Sequence, residues 1–249
     1  MRDFTADTSP PSRIRQLASQ LVDFFVPPAC AGCRRMGARF CSHCLAEVVW
    51  ITEPICAVCG LESAETNRPC WSCRRHPLCL EHIRAAAHFT GPLRNAIHGL
   101  KYRQGFALAA PLGALMVSAW PRWAMAADVV VPIPLHADRQ RERGYNQAEL
   151  LARRFATAVK LPMNHLALIR QRHTRPQADL DGLARLTNMQ QAFVADSTHV
   201  RRQRVLLVDD VCTTGATLNA AAEALLAAGA TSVSAYCLAR TQFKRASTS

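Results

Sequence analysis

Apolar residues along the chain follow two different rhythms. In "SRIRQLASQLVDFF" (Ser12 to Phe25) they recur at helical spacing, so one amphipathic helix is expected there, with Ser12 as its N-cap and Pro27 and Pro28 as its stop. Much farther along they run without alternation, in "ADVVVPIPL" (Ala127 to Leu135), "RVLLVDD" (Arg204 to Asp210) and "TSVSAYCLAR" (Thr231 to Arg240). Short, continuous aliphatic runs of this kind predict strands buried on both faces. Between them, "YNQAELLARRFATAV" (Tyr145 to Val159) and "ATLNAAAEALLAAGA" (Ala216 to Ala230) have helical spacing, and Gly229 marks the end of the second. Buried strands that alternate with helices predict an α/β domain, a parallel sheet with helices on both faces. Sites in such sheets lie at the carboxyl ends of the strands, where Asp209–Asp210 and the Pro132–Pro134 turn fall.

Residues 27–82 have neither rhythm. They are loop-rich and poor in large apolar residues, but they hold eight cysteines in four Cys-x-x-Cys pairs: Cys30/Cys33, Cys41/Cys44, Cys56/Cys59 and Cys70/Cys73. Such a turn brings two thiolates to one side of a tight loop, and two turns complete a tetrahedron. Four turns therefore predict two structural Zn²⁺ ions, without which this segment could hardly fold. Consecutive pairs are the expected partners, while the crossed arrangement stays open at this level. Cys79, His76 and His82 follow closely and are candidate substitutes. An iron–sulfur cluster would also use thiolates, but four regular pairs favour zinc. The expected organisation is a helix over 1–26, a cysteine-rich double zinc ribbon over 27–82, the α/β domain over 84–242 and a tail over 243–249.

Composition changes the picture in two ways. Apolar residues make up 49% of the 249, enough for a proper core, and no run approaches the roughly 20 apolar residues that span a bilayer. With no secretory signal, the chain is expected in the cytoplasm with reduced cysteines, attachment to the inner face of the membrane being left open. The formal charge of +12 favours an anionic partner. From His136 to Arg175 there are nine Arg or Lys against three Asp or Glu.

The candidate chemistry sits in "VLLVDDVCTTGATL" (Val205 to Leu218). Thr213, Thr214, Gly215, Ala216 and Thr217 join a strand to a helix, where backbone N–H groups and the helix dipole suit a phosphate. Asp209 and Asp210 would repel a polyphosphate laid across them but accept well from sugar hydroxyls. Phosphate at the loop and hydroxyls at the aspartates describe a ribose 5-phosphate. The stretch lacks the lysine of a P-loop, which argues against an NTPase.

This stretch resembles the phosphoribosyl pyrophosphate (PRPP) motif of type I phosphoribosyltransferases. The whole chain resembles the ComF competence family through the cysteine pairs, "LKYRQG" (Leu100 to Gly105), "DVVVPIPLHADRQRERGYNQAELLA" (Asp128 to Ala152), "LIRQRHTRPQADLDGLARLTNMQQAF" (Leu168 to Phe193) and the PRPP motif, in that order. The resemblance implies a type I phosphoribosyltransferase-like fold. It also implies that Asp209 and Asp210 hold the ribose hydroxyls directly or through Mg²⁺, and that Thr213 to Thr217 wrap the 5′-phosphate. "VPIPL" matches the pyrophosphate loop, with Lys101, Arg139 and Arg143 as candidate contacts. Arg170 and Arg172 lie in a stretch that matches the mobile loop closing over substrate.

Fold alone does not prove transfer. No acceptor pocket and no catalytic residue can be identified from sequence. Two readings therefore stand: a factor in DNA uptake that handles single-stranded DNA, with a PRPP or ribose-phosphate site and an uptake-machinery partner, or a phosphoribosyltransferase with an unknown acceptor. The basic excess and the zinc knuckles favour the first.

Overall fold

The computed structural model describes residues 27–64, 68–102, 105–123, 125–171 and 192–242. The helix expected over Ser12 to Phe25, Arg172 and the tail lie outside these residues.

Four parallel strands form the sheet: β1 (Ile83–His88), β2 (Val129–Pro132), β5 (Arg204–Cys212) and β6 (Ser232–Arg240), in the order β1-β6-β5-β2. Nearly every residue of these strands is buried, as continuous aliphatic runs require when helices cover both faces. On one face lies α8 (Ala216–Ala227), packed on β5 and β6, together with a small antiparallel pair, β3 (Leu168–Arg170) and β4 (Phe193–Ala195). On the other face α6 (Gln147–Val159) covers β2 and β5, and α4 (Ala109–Ala119) covers β1 and β6. Helix α3 (Gly91–Lys101) buries Leu93, Ile97 and Leu100 in the same core. Trp120, Phe155 and Tyr236 meet there with ring centroids 4.9–5.2 Å apart, and the Tyr236 hydroxyl donates to the Met116 carbonyl.

Two short helices, α1 (Ser42–Ala46) and α2 (Trp71–Arg75), begin just after Cys41 and Cys70 in the cysteine-rich segment. That segment is stitched to the outer edge of β1. The Ile51 N–H donates to the Ala86 carbonyl, the His88 N–H to Val49 and the Ile83 N–H to Val58. Trp50 pairs antiparallel with Ala87. The remaining elements lie at opposite edges of the sheet: α5 (Ala137–Arg143) follows β2 at the carboxyl edge, and α7 (Ser197–Val200) leads into β5 at the amino edge. After α3 the chain doubles back so tightly that a Cβ on Gly105 would lie 2.0 Å from the Gly99 carbonyl oxygen. No helix among the described residues is long and apolar enough to cross a membrane.

Candidate functional site

Two metal-type clusters emerge from the cysteine pairs, and they are consecutive. Cys30, Cys33, Cys41 and Cys44 form one, and Cys56, Cys59, Cys70 and Cys73 the other, with all sulfurs of a set within 4.8 Å of one another. Sulfur separations are 3.6 Å for Cys30–Cys44 and for Cys33–Cys41, 3.9 Å for Cys56–Cys73 and 3.8 Å for Cys59–Cys70. A tetrahedron with Zn–S bonds of about 2.3 Å has edges of about 3.8 Å, so both sets fit structural zinc. Burial raises the Cys30 thiol, but backbone N–H groups of Cys33, Cys41 and Gly32 outweigh it and hold the thiol at about 6. The same balance holds Cys56 at about 7, while burial and neighbouring thiols push Cys44 and Cys73 up. The candidate substitutes stand apart: the Cys79 N–H donates to Asn219 Oδ1, His82 Nδ1 lies 3.0 Å from the Ala57 carbonyl, and His76 is exposed.

The second site is built where β5 ends. The strand carries its ladder with β6 through Cys212, two residues beyond the aspartates. Thr213 and Thr214 are exposed, and Gly215 turns the chain into α8 at φ +87°, a left-handed conformation that suits glycine. A Cβ there would also crowd Ile83 Cδ1 at 3.1 Å. Ala216 and Thr217, half-buried, open the helix, and the Ala216 N–H meets Thr214 Oγ1 at 3.3 Å.

The two aspartates have different surroundings. Asp210 is 3% exposed, its Oδ2 forms an ion pair with Lys101 Nζ at 2.7 Å, and its Oδ1 accepts from Gln147 Nε2 at 3.4 Å. Gln147 Oε1 in turn accepts from Arg143 Nη1 at 2.9 Å, so a chain of contacts runs Lys101–Asp210–Gln147–Arg143. Asp209 is half-buried and its Oδ1 accepts from the Asp210 N–H. Burial, then the Asp210 charge, pushes the Asp209 carboxyl well above the usual carboxylate range, with Lys101 opposing them. Arg170, half-buried over the Phe193 ring, feels both Arg139 and Asp209: burial and Arg139 lower its guanidinium, and Asp209 opposes them. Arg139 itself is exposed on α5. The five described positions picked out on β5 and in the basic set, Asp209, Asp210, Lys101, Arg139 and Arg170, thus gather near the carboxyl ends of β2 and β5, with Arg143 linked to them through Gln147.

Sequence reasoning missed Gln147, which bridges the set, and Asn146, which caps α6 through its Oδ1 and donates to the Ile133 carbonyl. Both lie inside "RGYNQ", whose pairing of amides before a helix was the available signal. It also read nothing from Cys212. Arg240 Nη1 donates to Cys212 Sγ at 2.7 Å inside the protein. A hydrogen bond from Cys237 and the Arg240 charge hold that thiol at about 7 against burial.

The chain matches the Phosphoribosyl transferase domain family over residues 141–248 and the Double zinc ribbon domain family over residues 21–74. It is 31% identical to the DNA utilization protein YhgH of Salmonella typhimurium across 87% of this chain and 98% of that protein. It is 31% identical to the competence protein ComFC of Bacillus subtilis, across 81% of this chain and 84% of that protein. The chain belongs to the ComF competence family. A further member, competence protein F of Haemophilus influenzae, is 29% identical over 80% of this chain and 90% of its own length. In this family member all eight paired cysteines fall inside the zinc-ribbon match, and Asp209 to Thr217 fall inside the phosphoribosyltransferase match.

Proposed function

We propose that the chain binds PRPP or a related ribose 5-phosphate at the carboxyl end of β5 and acts in DNA uptake, where it handles single-stranded DNA. One observation carries the ribose-phosphate half: an acidic pair and a glycine-turned helix start lie together at the carboxyl edge of a parallel sheet, ringed by basic side chains. Thr213 to Thr217 offer N–H groups and hydroxyls to the 5′-phosphate. Asp209 and Asp210 accept from the ribose hydroxyls or hold Mg²⁺ against them, and Mg²⁺ would supply countercharge to the pyrophosphate. Lys101, Arg139, Arg143 and Arg170 provide the remaining positive charge, and Arg172 is assigned with them from its place in the sequence. The DNA half rests on the relatives, which include a DNA utilization protein and competence proteins, and on the net charge of +12.

Isothermal titration of PRPP with Mg²⁺ tests the pocket. Asp209→Asn loses a charged acceptor to a hydroxyl, which costs about 1.5–3 kcal/mol, or roughly one to two decades in affinity. Unchanged affinity in Asp209→Asn would place the pocket elsewhere.

Phosphoribosyl transfer is the second reading, and a cavity favours it. About 620 Å³ lies between Ile51–Pro54, Gly60–Ala64 and the ends of β1 and β6, lined there by His88 and Arg240. Arg240 pairs with Cys212 across one strand spacing, so the cavity lies one strand from the start of the phosphate loop and offers room for an acceptor. In that reaction an acceptor nitrogen bonds to C1′, the C1′–O bond breaks, its electron pair leaves with pyrophosphate, and the nitrogen's proton passes to solvent. Release of pyrophosphate from PRPP, dependent on an added amine or base, measures it.

A further inference from the structure

We propose that single-stranded DNA runs along the groove between the first cysteine cluster and α3, with Tyr102 as a platform on which one base stacks. The inference rests on the DNA-handling reading above and gives it a place on the molecule. A groove of about 1150 Å³ is walled on one side by Ala29 to Gly32 and Arg34, and on the other by Arg94, His98 and Tyr102. A second hollow, about 390 Å³, lies against Lys101, Tyr102 and the turn from Arg141 to Tyr145. Tyr102 lines both, so the two hollows meet at its ring, and the proposed path runs through them.

The charge along this path is one-sided. Five Lys or Arg line it, against Glu142 alone among the acids. Lys101 is held by Asp210, and Arg141 by Asp138. Among the described residues Arg34, Arg94 and Arg143 form no ion pair with a carboxylate, and Arg143 keeps its full charge beside the neutral Gln147 amide, between this path and the ribose-phosphate site. One large ring stands among them: Tyr102 is 55% exposed. The Arg143 guanidinium lies 5.3 Å from the Tyr102 ring centroid, which fixes the ring and adds charge to it.

An exposed ring set among guanidinium groups in a concave track suits unpaired nucleotides. The cations meet phosphates, and every base has a face to stack. A duplex keeps its base faces covered and would leave the Tyr102 ring idle. An anionic membrane would meet a flat or convex basic surface more readily than a groove. The path draws on only part of the basic stretch His136 to Arg175. It takes Arg141 and Arg143 from that stretch and adds Arg34 and Arg94 from the zinc ribbon and α3.

The test uses the full zinc-loaded chain and fluorescence anisotropy of a labelled oligothymidylate of about 20 nucleotides over a salt series. Arg34→Asn with Arg94→Ser removes two phosphate contacts from exposed positions, so the log–log salt slope should fall by about 1.4 in magnitude. Tyr102→Ala should weaken binding roughly 5- to 100-fold with little change in slope, because stacking carries no charge. Tyr102→Phe should bind like the parent. Zinc content and the melting profile of each variant establish that it is folded. Parent-like binding in both the arginine and the alanine variants would overturn the groove while leaving the DNA-handling reading in place. No binding of the oligonucleotide by the parent at about 150 mM salt would overturn both. Equal losses in Tyr102→Ala and Tyr102→Phe would overturn the stacking platform.

Discussion

Replacing Lys101 by methionine should destabilise the protein through a residue more than a hundred positions away. The methionine keeps the apolar stem but leaves the Asp210 carboxylate, 3% exposed, without its cation at 2.7 Å. Gln147 still donates to Oδ1, at a long 3.4 Å, and cannot neutralise the charge. Removing one partner of a buried ion pair costs about 3–5 kcal/mol. The Lys101 side chain is 24% exposed, so water replaces part of the lost solvation, and the expected cost is at the low end, about 2–3 kcal/mol. For a chain of this size that is a fall in Tm of roughly 5–10 °C. Scanning calorimetry of zinc-loaded protein at pH 7 measures it. Asp210→Asn in the Lys101→Met background removes the stranded charge, so most of the loss should return and the double-mutant cycle should give a coupling of about 2 kcal/mol. A Lys101→Met variant that melts with the parent, or a double variant that melts below the single one, would refute the reasoning.

Purified without chelator, the protein should hold about two Zn²⁺, measured by elemental analysis. Cys30→Ser should drop one equivalent and unfold the first knuckle, while iron in place of zinc would sink the assignment. The raised carboxyl of Asp209 predicts a pH effect of definite sign. Its protonation begins at a higher pH than that of an ordinary carboxyl near 4, so PRPP affinity should start to fall on acidification well above that pH. For stability the sign reverses. An acid whose folded form holds its proton more tightly costs nothing when both states are protonated, and its cost grows as pH rises from the ordinary value through the folded one. Asp209→Asn should therefore gain stability relative to the parent as pH rises, and parallel melting curves at pH 4 and pH 7.5 would contradict this.

The parts of the structure visible in the sequence are those whose burial leaves a pattern. β2, β5 and β6 were legible because each is aliphatic on both faces, and the helix expected from Tyr145 starts at Gln147 only because Asn146 serves as its cap. β1 was not legible. Its "IRAAAH" is rich in alanine, a helix former, and it is extended because β6 on one side and residues 49–51 on the other pair with it. Consecutive partnership of the cysteine pairs was the expectation and it holds, while the crossed arrangement was excluded only by the loop geometry. Lys101 was expected at a ligand's pyrophosphate, and the structure holds it on Asp210, a contact no local pattern announces. The amide pair Asn146–Gln147 marked a helix start, but the bridging role of Gln147 went unread because its two partners are four and sixty-three residues away.

The stitching of residues 49–58 to β1 makes the zinc ribbon a guard against self-association. β1 ends the sheet, and a bare edge strand presents a row of N–H and C=O groups that recruits other chains. Here that row is occupied by the ribbon's own backbone at Val49, Ile51 and Val58, and the ribbon keeps its shape through its thiolates. Stripping the metal should then do more than melt a small module: it should uncover an alanine-rich edge, and the first sign of zinc loss should be aggregation rather than unfolding of the α/β domain.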